Sequence, residues 1–126
     1  MKILHTCINV ADMDRSIEFY TKQIGLKFVS RREIKQNNAE IAFLKDENEA
    51  AIELTHWRDK KELKEGDNFD HIAFAVNEIE ATMRELKRNG VTVATEPYSL
   101  QGSTSRIAFI KDPDGNWLEL IQSAKR

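Results

Sequence analysis

The sequence has a single cysteine, Cys7, among 126 residues, so no disulfide can close within the chain. It has no block of five or six like charges, and 19 Lys+Arg against 21 Asp+Glu leave a formal charge of -2, which argues against an electrostatic grip on nucleic acid. Its apolar runs extend only a few residues, far short of the roughly 20 that a bilayer-spanning helix needs. No membrane role is expected. The first twenty residues carry Asp12, Asp14 and Glu18 where a secretory leader would need an apolar stretch, so a cytoplasmic location is the expectation. What remains, 40% hydrophobic and 32% charged, has the size of one ordinary domain over residues 1–126, with a moderate core.

An internal repeat sets the expected architecture. A shift of 66 residues lays Ile41-Ala42-Phe43-Leu44-Lys45-Asp46 on Ile107-Ala108-Phe109-Ile110-Lys111-Asp112, five identities in six. The same shift puts Glu53-Leu54 on Glu119-Leu120, His5 on His71 and Val10 on Val76. After each histidine comes a stretch with helical spacing that ends at a glycine: Asp12 to Ile24 before Gly25, and Asn77 to Asn89 before Gly90. Asp12 and Asn77 are expected N-caps, with Glu80 completing a capping box, and the two glycines suit a left-handed C′ position.

Strand character is expected over 3–10, 26–33, 39–45 and 50–55, then over 69–76, 91–96, 105–111 and 116–122. Each half therefore reads as β-α-β-β-β, an α+β chain of two tandem βαβββ modules over about 1–56 and 69–126, with a charged linker over about 57–68. Asp112-Pro113-Asp114-Gly115 reads as the turn joining the last two strands, with Asp46-Glu47-Asn48-Glu49 as its weaker counterpart. Halves of this size are marginal alone, so they are expected to pack together or to pair with a second chain.

The repeat also duplicates a pair of metal-binding residue types. His5 and Glu53 lie 48 positions apart (53 − 5), as do His71 and Glu119 (119 − 71). Strand side chains alternate, so Leu4, Thr6, Ile8 and Val10 with Ile52 and Leu54 suit the helix side, leaving His5, Cys7, Asn9, Ala51, Glu53 and Thr55 on the other. The second module repeats this with His71 and Glu119. A lone strand histidine is usually structural, and a lone glutamate between apolar neighbours usually faces solvent. Chance surface residues, however, have no reason to recur in the same two types at equivalent positions. Buried carboxylates need compensation, and a divalent cation supplies it. Nitrogen and oxygen donors without thiolate suit zinc, nickel, cobalt, manganese or iron(II), and four protein ligands leave two octahedral positions for water or a chelating substrate. Asn9, Cys7, His56 and Trp117 are the candidate substrate contacts, although Cys7 reads first as a small core residue and packing explains Trp57 and Trp117 equally well.

These residues resemble the vicinal-oxygen-chelate superfamily, and within it bacterial glyoxalase I. The resemblance runs from Leu4-His5-Thr6 through Arg15-Ser16-Ile17-Glu18-Phe19-Tyr20 and Ala51-Ile52-Glu53-Leu54-Thr55. It continues through His71-Ile72-Ala73 to Asp112-Pro113-Asp114-Gly115 and Leu118-Glu119-Leu120-Ile121. It implies a glyoxalase fold forming a concave mixed sheet, a homodimer, and one divalent metal ion per site, nickel or cobalt favoured and zinc possible, held by His5, Glu53, His71 and Glu119. It further implies isomerisation of a 2-oxoaldehyde–thiol hemithioacetal, as in methylglyoxal detoxification, through an enediolate. Glu119 would be the principal base and Glu53 the second carboxylate. Asn9 stands where many glutathione-using relatives carry arginine, so the thiol stays open. An epimerase of another small oxo compound and a metal-free, ligand-sequestering resistance protein are the competing readings within the fold.

Overall fold

A computed structural model describes residues 1–60, 62–64, 66, 69–99 and 101–123. The chain divides into two compact units, Met1–Glu65 and Gly66–Arg126. Part of the linker expected over 57–68 lies outside the described residues.

The first unit runs β1 (Thr6–Asn9), α1 (Met13–Glu18), a π-helical turn (Phe19–Gln23), β2 (Lys27–Ile34), a 3-10 turn (Lys35–Asn37), β3 (Ala39–Lys45) and β4 (Ala51–Trp57). The second runs β5 (His71–Ala75), α2 (Ile79–Arg88), β6 (Thr92–Tyr98), β7 (Arg106–Lys111) and β8 (Trp117–Gln122). Each unit forms a four-stranded mixed sheet, in the orders β1-β4-β3-β2 and β5-β8-β7-β6. In both, the strand before the helix pairs in parallel with the last strand, and the remaining pairs are antiparallel.

Alternation along the strands sorts the side chains as the period of two requires. In the first unit Ile8, Val10, Ala42, Leu44, Ile52 and Leu54 are buried with Met13, Ser16 and Tyr20 from the helix. In the second, Ala108, Ile110, Leu118 and Leu120 are buried with Ile79, Met83 and Leu86. Leu4 departs from expectation. β1 begins at Thr6 rather than at residue 3, and Leu4 is 79% exposed instead of joining the core face.

The helices show how a duplicated plan tolerates one extra residue. Asp12 caps α1, its Oδ1 accepting from the Arg15 amide at 3.0 Å. The second cap sits at Glu78, not at Asn77 as the motif suggested. The 66-residue shift maps Asp12 onto Glu78, and the repeat outweighs local cap chemistry. The expected capping box is therefore not formed: Glu80 pairs with Arg106, and the Ile79 amide donates instead to Gln122 Oε1 at 2.7 Å. Gly25 and Gly90 are both left-handed, with φ of 90° and 83°. They lie only 65 residues apart, so the first helix carries one residue more than the second. The π-helical turn absorbs it, with the Ile24 amide donating to the Phe19 carbonyl at 3.3 Å. In the second unit the exit is a regular Schellman motif, Val91 donating to Leu86 at 2.9 Å and Gly90 to Lys87 at 3.0 Å.

Candidate active site

Each sheet carries one histidine–glutamate pair on the face opposite its helix, and the two pairs share their construction. In the first unit His5 Nε2 lies 2.9 Å from Glu53 Oε2; in the second, His71 Nε2 lies 2.6 Å from Glu119 Oε2. The carboxylates are the better-covered partners, with side chains 17% and 14% exposed against 35% and 31% for the imidazoles. Each glutamate faces a phenylalanine across the sheet, Glu53 opposite Phe43 and Glu119 opposite Phe109. Each phenylalanine meets the histidine ring edge-to-face, at 5.2 Å for His5 and 5.5 Å for His71. Aromatic edges prefer this geometry, so the rings limit where the imidazoles can turn. Phe43 and Phe109 belong to the strongest repeat segment, yet the sequence reading assigned them no role. Their signal was the duplication itself.

The pairs differ in what surrounds them. His71 Nδ1 lies 2.7 Å from Asp70 Oδ1. A carboxylate can only accept, so Nδ1 donates to Asp70 and, at 2.6 Å from Glu119, Nε2 donates as well in this metal-free geometry; loss of the Nε2 proton leaves the tautomer with its hydrogen on Nδ1. Asp70 is the larger cause holding His71 above the usual histidine range, and Glu119 adds to it against desolvation. The equivalent position in the first unit is Leu4, which offers no such acceptor.

Around Glu53 the added partner sits on the carboxylate instead. The Thr55 hydroxyl donates to Glu53 Oε1 at 3.3 Å, and Cys7 Sγ lies 3.1 Å from Thr55 Oγ1. Cys7 is exposed as a residue and is no core side chain, which corrects one expectation for it. Its sulfur is nevertheless partly desolvated, and that desolvation, aided by the Glu53 charge and opposed by the Thr55 hydrogen bond, pushes the thiol up. An open cleft of about 330 Å³ lies beside this group, with Cys7, Asn9, Glu53, Thr55 and Trp57 on its walls. Asn9 Oδ1 accepts from the Trp57 indole at 3.0 Å, which fixes both side chains at the cleft.

The remaining substrate-contact candidates fall on opposite sides of the question. His56 has the parity of Leu54, not of Glu53, and its Nδ1–H donates to the Val10 carbonyl at 3.0 Å, tying β4 to the helix entry. Its repeat counterpart Gln122 binds the other helix entry through Ile79. His56 thus anchors β4 to the helix entry through its bond to Val10. Trp117 has the parity of Glu119, is 40% exposed, and packs 5.4 Å from Phe109 with Lys111 Nζ 6.0 Å above its ring.

Imidazole nitrogen and carboxylate oxygen are the donor types that suit a borderline divalent cation, and in each unit they aim at one another. Among the described residues, no group of three or more His, Cys, Asp or Glu side chains gathers as a metal cluster. Each unit therefore offers two donors.

Residues 2–120 match the Glyoxalase/Bleomycin resistance protein/Dioxygenase superfamily. The chain belongs to that superfamily. The chain is 42% identical over 125 residues to a Vibrio cholerae protein named "Probable lactoylglutathione lyase", spanning 97% of this chain and 91% of the relative. It is 39% identical over 127 residues to the "Lactoylglutathione lyase" of Escherichia coli, spanning 97% and 93%. Glyoxalase I from Zea mays has the same fold, with a TM-score of 0.88 and 33% identity over 98% of this chain. The maize protein is longer, and this chain spans 45% of it.

Proposed function

We propose that the protein is a metal-dependent lyase of the lactoylglutathione lyase type, isomerising the hemithioacetal of a 2-oxoaldehyde and a thiol to an S-2-hydroxyacyl thiol. The observation that carries this is the duplicated pairing of His Nε2 with Glu Oε2, each braced by a phenylalanine edge at repeat-equivalent positions. A sequestering protein has no need of such a donor set. We assign His5, Glu53, His71 and Glu119 as the ligands of one divalent cation, nickel or cobalt in preference to zinc. The cation, when bound, polarises two adjacent substrate oxygens and stabilises the negative charge that develops between them.

The chain's own residues then move the proton. Glu119 takes it from C1 of the hemithioacetal and returns it to C2, acting first as base and then as acid, while the C1 hydroxyl gives up its proton and the C2 oxygen gains one, so that the carbonyl and hydroxyl exchange places. Glu53 is the second carboxylate. Asp70 holds His71 in the tautomer whose Nε2 lone pair is available to the cation. Asn9 and Trp57 present a hydrogen-bonded polar rim to the thiol portion. No valence change is needed, which suits a cation acting only as a Lewis acid.

The test is a nickel-loaded assay with methylglyoxal across glutathione and other low-molecular-weight thiols. Formation of the hydroxyacyl thiol with at least one of them is the expected result, and no turnover with any would overturn the reading. Glu119→Gln is expected to lower kcat by at least about 100-fold, the scale of a positioned proton-transfer group. Its secondary structure should remain that of the parent protein.

A further inference from the structure

The duplicated carboxylates have been made unlike each other, and the difference lies in one hydroxyl. Both oxygens of Glu53 are engaged: Oε2 by His5 at 2.9 Å and Oε1 by the Thr55 hydroxyl at 3.3 Å. An ionised carboxylate only accepts, so the single Thr55 proton points to Glu53 and the Thr55 oxygen is left to accept from the Cys7 thiol. Cys7, Thr55 and Glu53 thereby form one connected chain of hydrogen bonds. Thr55 is only 5% exposed, and Cys7 and Glu53 are direct register partners across the parallel β1–β4 pair. The chain of bonds is therefore held by the sheet itself.

The second unit has no equivalent. The 66-residue shift takes Thr55 to Ile121 and Cys7 to Ala73, neither of which has a side-chain hydrogen-bonding group. Ala73 is the register partner of Glu119, as Cys7 is of Glu53. The backbone plan was kept and the hydrogen-bonding side chains were not.

We infer that Thr55 is a positioning residue that pins Glu53 as the fixed carboxylate of the site, while Glu119, lacking such a hydroxyl, is the carboxylate free to turn and carry the proton. The inference rests on the lyase reading above and extends it, because it says why two glutamates at equivalent positions perform unequal tasks. Partners that orient a ligating side chain are typically worth 10- to 100-fold in metal affinity.

The experiment is titration of nickel into the chelator-treated full-length protein, comparing the parent with Thr55→Val, Thr55→Ser and Thr55→Ala, followed by steady-state kinetics of the loaded forms. Thr55→Val keeps the shape and removes the hydroxyl; it is expected to weaken nickel binding about tenfold or more, and Thr55→Ser to restore it. If Thr55→Val does not fold, Thr55→Ala provides the same comparison. The kinetic signature expected is a lower kcat in Thr55→Val with KM nearly unchanged, recovered in Thr55→Ser. Parent-like nickel affinity in the variants lacking the hydroxyl would overturn the positioning role while leaving the lyase reading intact. Failure of the parent protein to bind nickel would remove the lyase reading and this inference together.

Discussion

At the scale of single residues, the two histidines are chemically distinct although the repeat makes them equivalent. Asp70 raises the His71 pKa in the folded chain, so the metal-free protein gains stability from this pair at pH below the unfolded histidine value. That gain disappears as pH rises through the higher, folded value. Asp70→Asn is expected to flatten this dependence, with the two proteins converging above neutrality; thermal unfolding of chelator-treated samples between pH 5 and 8 measures it. Equal pH slopes would show that Asp70 does not act on His71. Metal binding has the opposite dependence, since a proton and a cation compete for Nε2, and nickel affinity should rise across the same window. The adjacent aspartate was visible in the sequence, but its role was not, because sequence proximity does not reveal which ring nitrogen it meets.

At the scale of elements, the duplicated turns offer the cleanest comparison. Asp112 accepts from the Asp114 and Asn116 amides at 3.0 and 2.8 Å, and Asp46 accepts from the Asn48 and Ala50 amides at 2.8 and 2.9 Å. The second turn ends at Gly115 with φ of 85°, the first at Glu49 with φ of 68°. A side chain in that left-handed region costs about 1 kcal/mol that glycine avoids, part of which glycine returns as chain entropy. Glu49→Gly is therefore expected to stabilise the protein by about 0.5 kcal/mol even after loss of the exposed Lys45–Glu49 pair. Urea unfolding reads this, and a destabilised variant would contradict it.

The helix entries give a second prediction at the same scale. Gln122→Leu removes the acceptor of the Ile79 amide and should cost about 1–3 kcal/mol, the penalty of an unsatisfied partly buried donor. An unfolding curve unchanged from the parent would show that the amide finds another acceptor. The order of elements along the chain, the hairpin turns and the glycine helix exits were legible because period, turn residues and the repeat agreed at those places. The Asn77 cap was misjudged where local chemistry competed with the repeat, and the helical stretch expected from Asp12 to Ile24 formed with a π-helical turn at Phe19–Gln23 that had not been foreseen. In both cases counting along the 66-residue shift contains the answer: it moves the cap to Glu78 and leaves one surplus residue before Gly25.

At the scale of the whole molecule, duplication is the source of both the fold and the chemistry. Two copies of one plan yield two sheets of the same topology, each with one imidazole and one carboxylate on the side opposite its helix. The histidine–glutamate positions were readable because a repeated pair of functional types is far less probable than a single one. The supporting residues Thr55, Asp70, Phe43 and Phe109 emerged only from side-chain geometry. Assigning one cation to four donors makes a quantitative demand on the intact protein, since loss of either histidine should affect the same binding event. The most direct measurement is therefore nickel stoichiometry and affinity for the parent, His5→Ala and His71→Ala proteins by calorimetric titration after chelator treatment. One ion per chain, bound tightly by the parent and lost in both variants, is the predicted result; no uptake by the parent, or loss in only one variant, would contradict it.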